Sequence, residues 1–287
     1  MHSTDFEDLK SFIENRIGIV LREEQHKTLE NRLVPILRRN ELDGVSSLVT
    51  TLLREPDDEL AMDVVDAITM RETFFFRDES PFNALADRVF PVFSETREKT
   101  RPLRVWSCAT STGQEAYSVA MTAEQILRLN WDGDLDILGT DVSKYAVGKA
   151  RAGTYSQIDV QRTVPARIMV RYFEKNKTRW QLQQSIRNQV RFRQFNLIDE
   201  FSKLGEFDII FCRNVLSSFA EEKRHDVLAR LAQQLAPDGV LVVGTLESLL
   251  GETAGFRPVK GARGFYTLAD PKEVLPDIPV ETQRSVG

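Results

Sequence analysis

The residues best placed to do chemistry fall in five short groups: Glu72-Thr-Phe-Phe-Phe-Arg77, Ser111-Thr-Gly-Gln-Glu-Ala-Tyr-Ser118, Asp141, Asn196-Leu197 and Arg213-Asn214. The second group follows the apolar run Val105-Trp106 and precedes Val119-Ala-Met121, which reads as a strand, a tight polar turn and the start of a helix. Such a turn aims free backbone N–H groups at a ligand, and Gly113 would let that ligand come close to the main chain. A dinucleotide site needs three spaced glycines and a P-loop needs a lysine after its last glycine, but here Gln114 and Glu115 follow Gly113. An acid at that position repels phosphate and suits a ligand bearing a sulfonium and an amino group, a description that S-adenosylmethionine fits. An ordinary helix N-terminus with an early acid is the competing reading.

Other groups extend this picture. Arg71, Glu72, Thr73 and Arg77 bracket three phenylalanines, which could form a buried segment or an aromatic wall. A wall of that kind holds a sulfonium by cation–π attraction while an arginine holds a carboxylate. Asp141 closes the run Leu135-Asp-Ile-Leu-Gly-Thr, where an acid accepts hydrogen bonds from ribose hydroxyls, or else caps the helix that follows. Cys108 and Cys212 each end an apolar strand and read as small core residues.

Composition narrows the possible classes. The 287 residues carry a net charge of -5, which argues against nucleic acid as a main partner. Two cysteines and three histidines supply neither a disulfide framework nor a metal cluster. No apolar run approaches the ~20 residues that span a bilayer, and the first residues lack the features of a signal peptide. A monomeric cytoplasmic protein without membrane insertion is expected.

The elements that must position these groups follow in order. Residues 1–68 read as a helical bundle from the spacing of Phe6, Leu9, Ile13 and Ile17, then Leu29, Leu33 and Ile36, with Pro35 marking a kink or break. Arg32, Arg38 and Arg39 near that proline form either a solvated face or a surface for an acidic helical partner. Residues 69–102 are a linker and helix carrying the 72–77 group. Residues 103–268 alternate strands and helices, which predicts an α/β, doubly wound, mostly parallel sheet with a closing antiparallel pair. A small antiparallel insertion is expected at about 172–190, and Pro237-Asp-Gly239 should launch a strand at Val240. Residues 269–287 are polar and proline-rich and read as a disordered tail.

With the five groups in place, the chain resembles the chemotaxis receptor methyltransferases, the CheR family, from the bundle to about Leu268. The resemblance implies a Rossmann-like class I methyltransferase fold that uses S-adenosylmethionine, yields S-adenosylhomocysteine, and methylates glutamates on the cytoplasmic coiled coil of chemoreceptors. It places Thr73 and Arg77 at the methionine end, with Arg77 also orienting the substrate carboxylate, and Arg71 at a further cofactor-side contact. Glu115 falls at the methionine portion, Asp141 at the ribose and Asn196 with Leu197 at the adenine, while Arg213 and Asn214 close the site. Three departures stand out: Arg71 replaces a usual asparagine, Gln114 a usual glutamate, and Ser218 a usual tyrosine. Arg71 and Ser218 motivate a rival reading, a regulatory module that binds the cofactor without turnover. The turn Glu174-Lys-Asn-Lys-Thr178 lacks the glycine of members that bind a receptor C-terminal tether, so tether binding is not expected. A calorimetric titration showing clear binding of such a peptide would overturn that expectation.

Overall fold

The computed structural model describes residues 2–54, 58–69, 72–98, 100–127, 131, 133–245, 247 and 255–269. Arg71 and residues 270–287 lie outside this set, and with them one expected cofactor contact and the expected disordered tail.

Helices α1 (Ser3–Ile17), α2 (His26–Arg39), α3 (Val45–Arg54) and α4 (Asp58–Thr69) form the N-terminal bundle. Each buries residues three and four apart, as Phe6, Leu9, Ile13 and Ile17 do on α1 and Leu60, Val64 and Ile68 on α4. Helix α2 runs through Pro35 rather than breaking there. Pro35 and Asn31, the residue whose carbonyl the proline leaves without a partner, are both exposed, so water can replace the lost bond.

The second domain contains strands β1 (Leu103–Cys108), β2 (Leu135–Asp141), β3 (Thr154–Ser156), β4 (Phe173–Asn176), β5 (Arg179–Leu182), β6 (Val190–Gln194), β7 (Phe207–Cys212), β8 (Leu235–Val243), β9 (Phe256–Pro258) and β10 (Phe265–Leu268). Seven of them make one sheet in the order β6-β2-β1-β7-β8-β10-β9. The first five run parallel, and β10 and β9 close the sheet antiparallel. Alternation along each strand divides the core in two. Trp106, Ile210 and Leu241 face the bundle side with Val227 and Leu231 of helix Glu221–Gln234. Val105, Ile209 and Val242 face the other layer, with Tyr117 and Val119 of helix Gln114–Leu127. Cys108 and Cys212 are buried, unbonded and side by side in register.

Two boundaries differ from expectation. Strand β8 begins at Leu235 and carries Pro237-Asp-Gly239 inside it, where the register against β7 jumps between Phe207 and Ile209. That bulge spares the proline a ladder bond. The small sheet has the order β3-β5-β4, so its third strand comes from Thr154–Ser156, well before the expected insertion. A three-residue strand carries too little periodicity to be read from sequence.

Candidate active site

A cleft opens at the carboxyl ends of β1, β2 and β7, with an empty volume of about 880 Å³ that includes open solvent at its mouth. Thr73, Arg77, Glu115, Asp141, Asn196, Leu197, Arg213 and Asn214 all line it. Asp141 is 8% exposed and its two oxygens accept backbone N–H bonds from Ser111, at 2.8 Å, and Ser143, at 2.9 Å. Ser143 itself caps helix Lys144–Ala152 by accepting from the Ala146 N–H, which removes the helix-cap alternative for Asp141. Burial pushes the Asp141 carboxyl above its ordinary range, against the pull of those two donors.

Gly113 behaves differently from expectation. It is not among the described residues that line the cleft. At φ 94, a Cβ on Gly113 would sit 2.9 Å from Ala150 Cβ and 3.1 Å from the Phe192 ring. Its missing side chain therefore lets the turn pack on the next helix and on β6, beneath the cleft rather than facing it.

Arg213 ties the opposite wall together. Its side chain is 1% exposed and donates to Glu115 at 3.1 Å, to Asp78 at 2.7 Å and to the Arg77 carbonyl at 3.1 Å. Glu115 also accepts from the Ser107 hydroxyl at 2.8 Å, yet burial holds its carboxyl above the usual value despite Arg213. Next to it, Asn214 adopts φ 59. The carboxylate of Glu247 fixes that turn by accepting the N–H groups of Asn214, Ser217 and Gly244. Sequence reasoning missed Glu247, whose only signal is an acid just beyond an apolar strand.

The three phenylalanines separate. Phe74 lines the cleft. Phe75 is fully buried, edge-on to Tyr155 and Phe173 of the small sheet, and Phe76 packs edge-on against Phe82. The expected aromatic wall is thus one ring, and the other two anchor the segment. Left-handed backbone at Phe76, Asp78 and Glu79 turns the chain sharply, and the Phe76 N–H is held by the Ser118 hydroxyl at 2.9 Å. Non-glycine residues hold this conformation only where the surroundings enforce it. Arg77 donates to the Glu72 carbonyl at 3.2 Å, and Glu72 pairs with Arg162, which keeps its carboxyl below the ordinary range.

The bundle supplies the remaining wall. Ile17 and Ile19 line the cleft beside Phe195, Val215 and Phe219, none of which the sequence pointed to as a site residue. Gly18 allows this approach, because a Cβ there would lie 2.8 Å from Ile198 and 2.9 Å from the Phe219 ring. The contact continues as a bridge between Ile19 and Phe219 and a bond from the Val20 N–H to the Ser218 carbonyl at 2.8 Å. Asn196 donates its amide to the Arg16 carbonyl at 2.8 Å. Of the three arginines read as a docking face, Arg32 donates to the Ile68 carbonyl at 3.2 Å and Arg39 pairs with Asp63, so both engage α4. Arg38 is exposed.

The lining suits S-adenosylmethionine. Two carboxylates, the half-buried Glu115 and the buried Asp141, face a cleft whose other walls include Ile17, Phe195, Leu197 and Phe219, an arrangement for a ligand with a cationic end, hydroxyls and an apolar ring. A doubly wound sheet with such a cleft at its carboxyl edge and a single-glycine turn fits a methyltransferase of the class I fold. Comparison with known families agrees: "CheR methyltransferase, SAM binding domain" matches residues 71–265 and "CheR methyltransferase, all-alpha domain" residues 4–69. The chain belongs to the CheR family of S-adenosylmethionine-dependent methyltransferases. It is similar to chemotaxis protein methyltransferase Cher2 of Pseudomonas putida KT2440, with 36% identity covering 91% of this chain and 96% of that one. It is also 36% identical to a chemotaxis protein methyltransferase of Vibrio parahaemolyticus, covering 89% of this chain and 93% of that one. Among the described residues no helix is long and apolar enough to cross a membrane.

Proposed function

We propose that this enzyme methylates glutamate side chains on the cytoplasmic coiled coil of chemoreceptors, giving glutamyl 5-O-methyl esters and S-adenosylhomocysteine. The observation that carries the reading is the placement of Arg77, whose guanidinium lies in the cleft lining beside Phe74 and near the exposed rim at Glu72. The names of the similar chemotaxis methyltransferases support the same acceptor.

Bound S-adenosylmethionine supplies a methyl group activated by its sulfonium. The acceptor needs no general base, since a glutamate is ionised near neutral pH. The work of the chain is to align and hold. Glu115 and Thr73 take the methionine end, Asp141 the ribose hydroxyls, and Asn196 with Leu197 the adenine edge. Arg213 keeps the Glu115 carboxylate aimed while Asn214 closes the turn beside it. Arg77 orients the incoming carboxylate, a charge-assisted contact at the mouth of the cleft. Arg71 takes a further cofactor-side role by its place in the sequence. The rival reading, binding without turnover, rests on Arg71, which lies outside the described residues, and on Ser218. Phe219 beside it lines the cleft, so an aromatic ring still stands on that wall. The enzyme acts as a cytoplasmic monomer that finds its receptor without a tether, and Arg38 is the member of the basic trio available to meet it.

Transfer of labelled methyl to a chemoreceptor cytoplasmic fragment tests the proposal. The natural protein should give base-labile label, and Arg77→Ala should reduce it by about a hundredfold, the scale of one lost transition-state contact, with cofactor still bound. Cofactor binding with no label on any receptor of the same cell would refute it.

A further inference from the structure

The rim of the cleft carries a second guanidinium with no part in the roles assigned so far. Arg162 is not among the described residues lining the cleft, yet its guanidinium carbon lies 4.9 Å from the centre of the Phe74 ring. That of Arg77 lies 5.6 Å from the same centre. One ring is thus shared by two cations, one inside the cleft and one on its edge. We infer that Arg162 reads a second carboxylate of the substrate, one helical turn from the glutamate being methylated, and that Ile158 completes this docking edge.

The spacing supports the pairing. Side chains three or four apart on a helix have Cβ atoms about 5–6 Å apart, so two acids on one helix face can meet two guanidinium groups that both approach a single ring. Arg162 now pairs with Glu72, and the two side chains are 52% and 67% exposed. Exposed pairs of this kind contribute little, so a substrate carboxylate can replace Glu72 at small cost. Glu72 then acts as the internal stand-in for the acid that Arg162 recognises.

The neighbouring helix has the form of a docking edge. Helix Gln157–Gln161 is fixed at its start by a reciprocal Ser156–Asp159 cap. The Arg162 N–H bonds the Ile158 carbonyl at 3.2 Å, so Ile158 stands one turn before Arg162. Ile158 is 76% exposed, an isoleucine left in water beside a charged rim. An amphipathic acidic helix offers both kinds of contact, apolar for Ile158 and a carboxylate for Arg162. This edge would add to the Arg32, Arg38 and Arg39 face, of which Arg38 and Arg39 are exposed.

The inference rests on the function proposed above, and its test separates the two. Methyl transfer to a chemoreceptor cytoplasmic fragment is followed with the natural protein, Arg162→Gln and Ile158→Ser, after the modified glutamates have been mapped by mass spectrometry. Both side chains are exposed, so folding is preserved. Each variant should raise KM for the fragment about fivefold, the scale of one exposed contact, with kcat and cofactor affinity retained. A fragment in which the acid one turn from the mapped glutamate is changed to glutamine should show the raised KM with the natural protein and no further rise with Arg162→Gln, the signature of direct coupling. Unchanged KM in both variants while Arg77→Ala loses label would overturn this inference alone. Absence of label with the natural protein would overturn the proposed acceptor, and this inference with it.

Discussion

Arg97 and Arg213 stand at opposite ends of the central strand β7, nearly sealed from solvent with side chains 4% and 1% exposed, and they do different work. At the amino end Arg97 and Arg101 both reach Asp208 at 2.6 Å, the Arg104 N–H donates to its other oxygen at 2.7 Å, and Arg97 continues to Asp238. Arg97 also lies 3.6 Å from the centre of the Phe93 ring. This cluster joins helix Phe90–Thr96 to β1, β7 and β8 and borders no part of the cleft. At the carboxyl end Arg213 holds Glu115 and Asp78, but Glu115 also faces the cleft, and Ala109, Ser111, Asp78 and Asn214 all carry left-handed backbone. The same ion-pair chemistry rivets layers at one edge and aims groups at a ligand at the other. Six of the eight described non-glycine residues with positive φ lie in or next to the segments that form this end, and the other two, Glu41 and Lys177, sit in turns elsewhere.

The sharpest way to break this contrast is Asp208→Ala, which removes the buried carboxylate shared by the buried Arg97, the part-exposed Arg101 and the Arg104 N–H. It should lower unfolding free energy by about 3–5 kcal/mol in urea titrations, with cofactor affinity of the folded protein unchanged. A parallel loss of affinity would show that the two ends are not independent. Glu115→Gln should act the other way, weakening cofactor binding about tenfold, roughly 1.4 kcal/mol, in calorimetry.

The same variant carries a pH signature. Glu115 and Asp141 have folded pKa values raised by burial. Between the ordinary carboxylate values near ~4 and those raised values, the folded state binds more protons than the unfolded one. Stability from these groups is therefore present below that window and lost as pH rises through it. Thermal melts of the free protein across this range should show a shallower fall in Glu115→Gln than in the natural protein. The smallest effect belongs to Arg39→Ala, an arginine outside both clusters whose side chain is 60% exposed in its pair with Asp63. Its melting midpoint should match a change of no more than about 0.5 kcal/mol.

Much of the site was legible because its polar groups follow apolar runs. Asp141 after Leu135-Asp-Ile-Leu-Gly-Thr, and Arg213 with Asn214 after Phe207-Asp-Ile-Ile-Phe-Cys, announce strand ends by composition, and the fold then brings those ends together. What escaped notice depends on direction or on distance along the chain. Three adjacent phenylalanines give no period, so nothing in the sequence says that Phe74 turns to the cleft while Phe75 turns to the small sheet. Gly113 marked the turn correctly but not the side that needed room. Arg162 and Glu247 reach Glu72 and Asn214 across 90 and 33 residues, and a single chain gives no sign of such pairings. Of the α2 arginines, Arg38 and Arg39 are exposed as the sequence suggested, while periodicity cannot show that Arg32 is half-buried and donates to the Ile68 carbonyl.

The seam at Gly18 has a consequence for how the two domains can be inherited or exchanged. Ile17 and Ile19 are wall residues of the cofactor cleft, and Gly18 carries them against Phe219. The bundle is thus part of the catalytic compartment itself rather than an adaptor bolted to a finished enzyme. Grafting the bundle of one such methyltransferase onto the sheet of another would change the cofactor cleft itself, and affinity could be restored only by re-matching the residues of this seam.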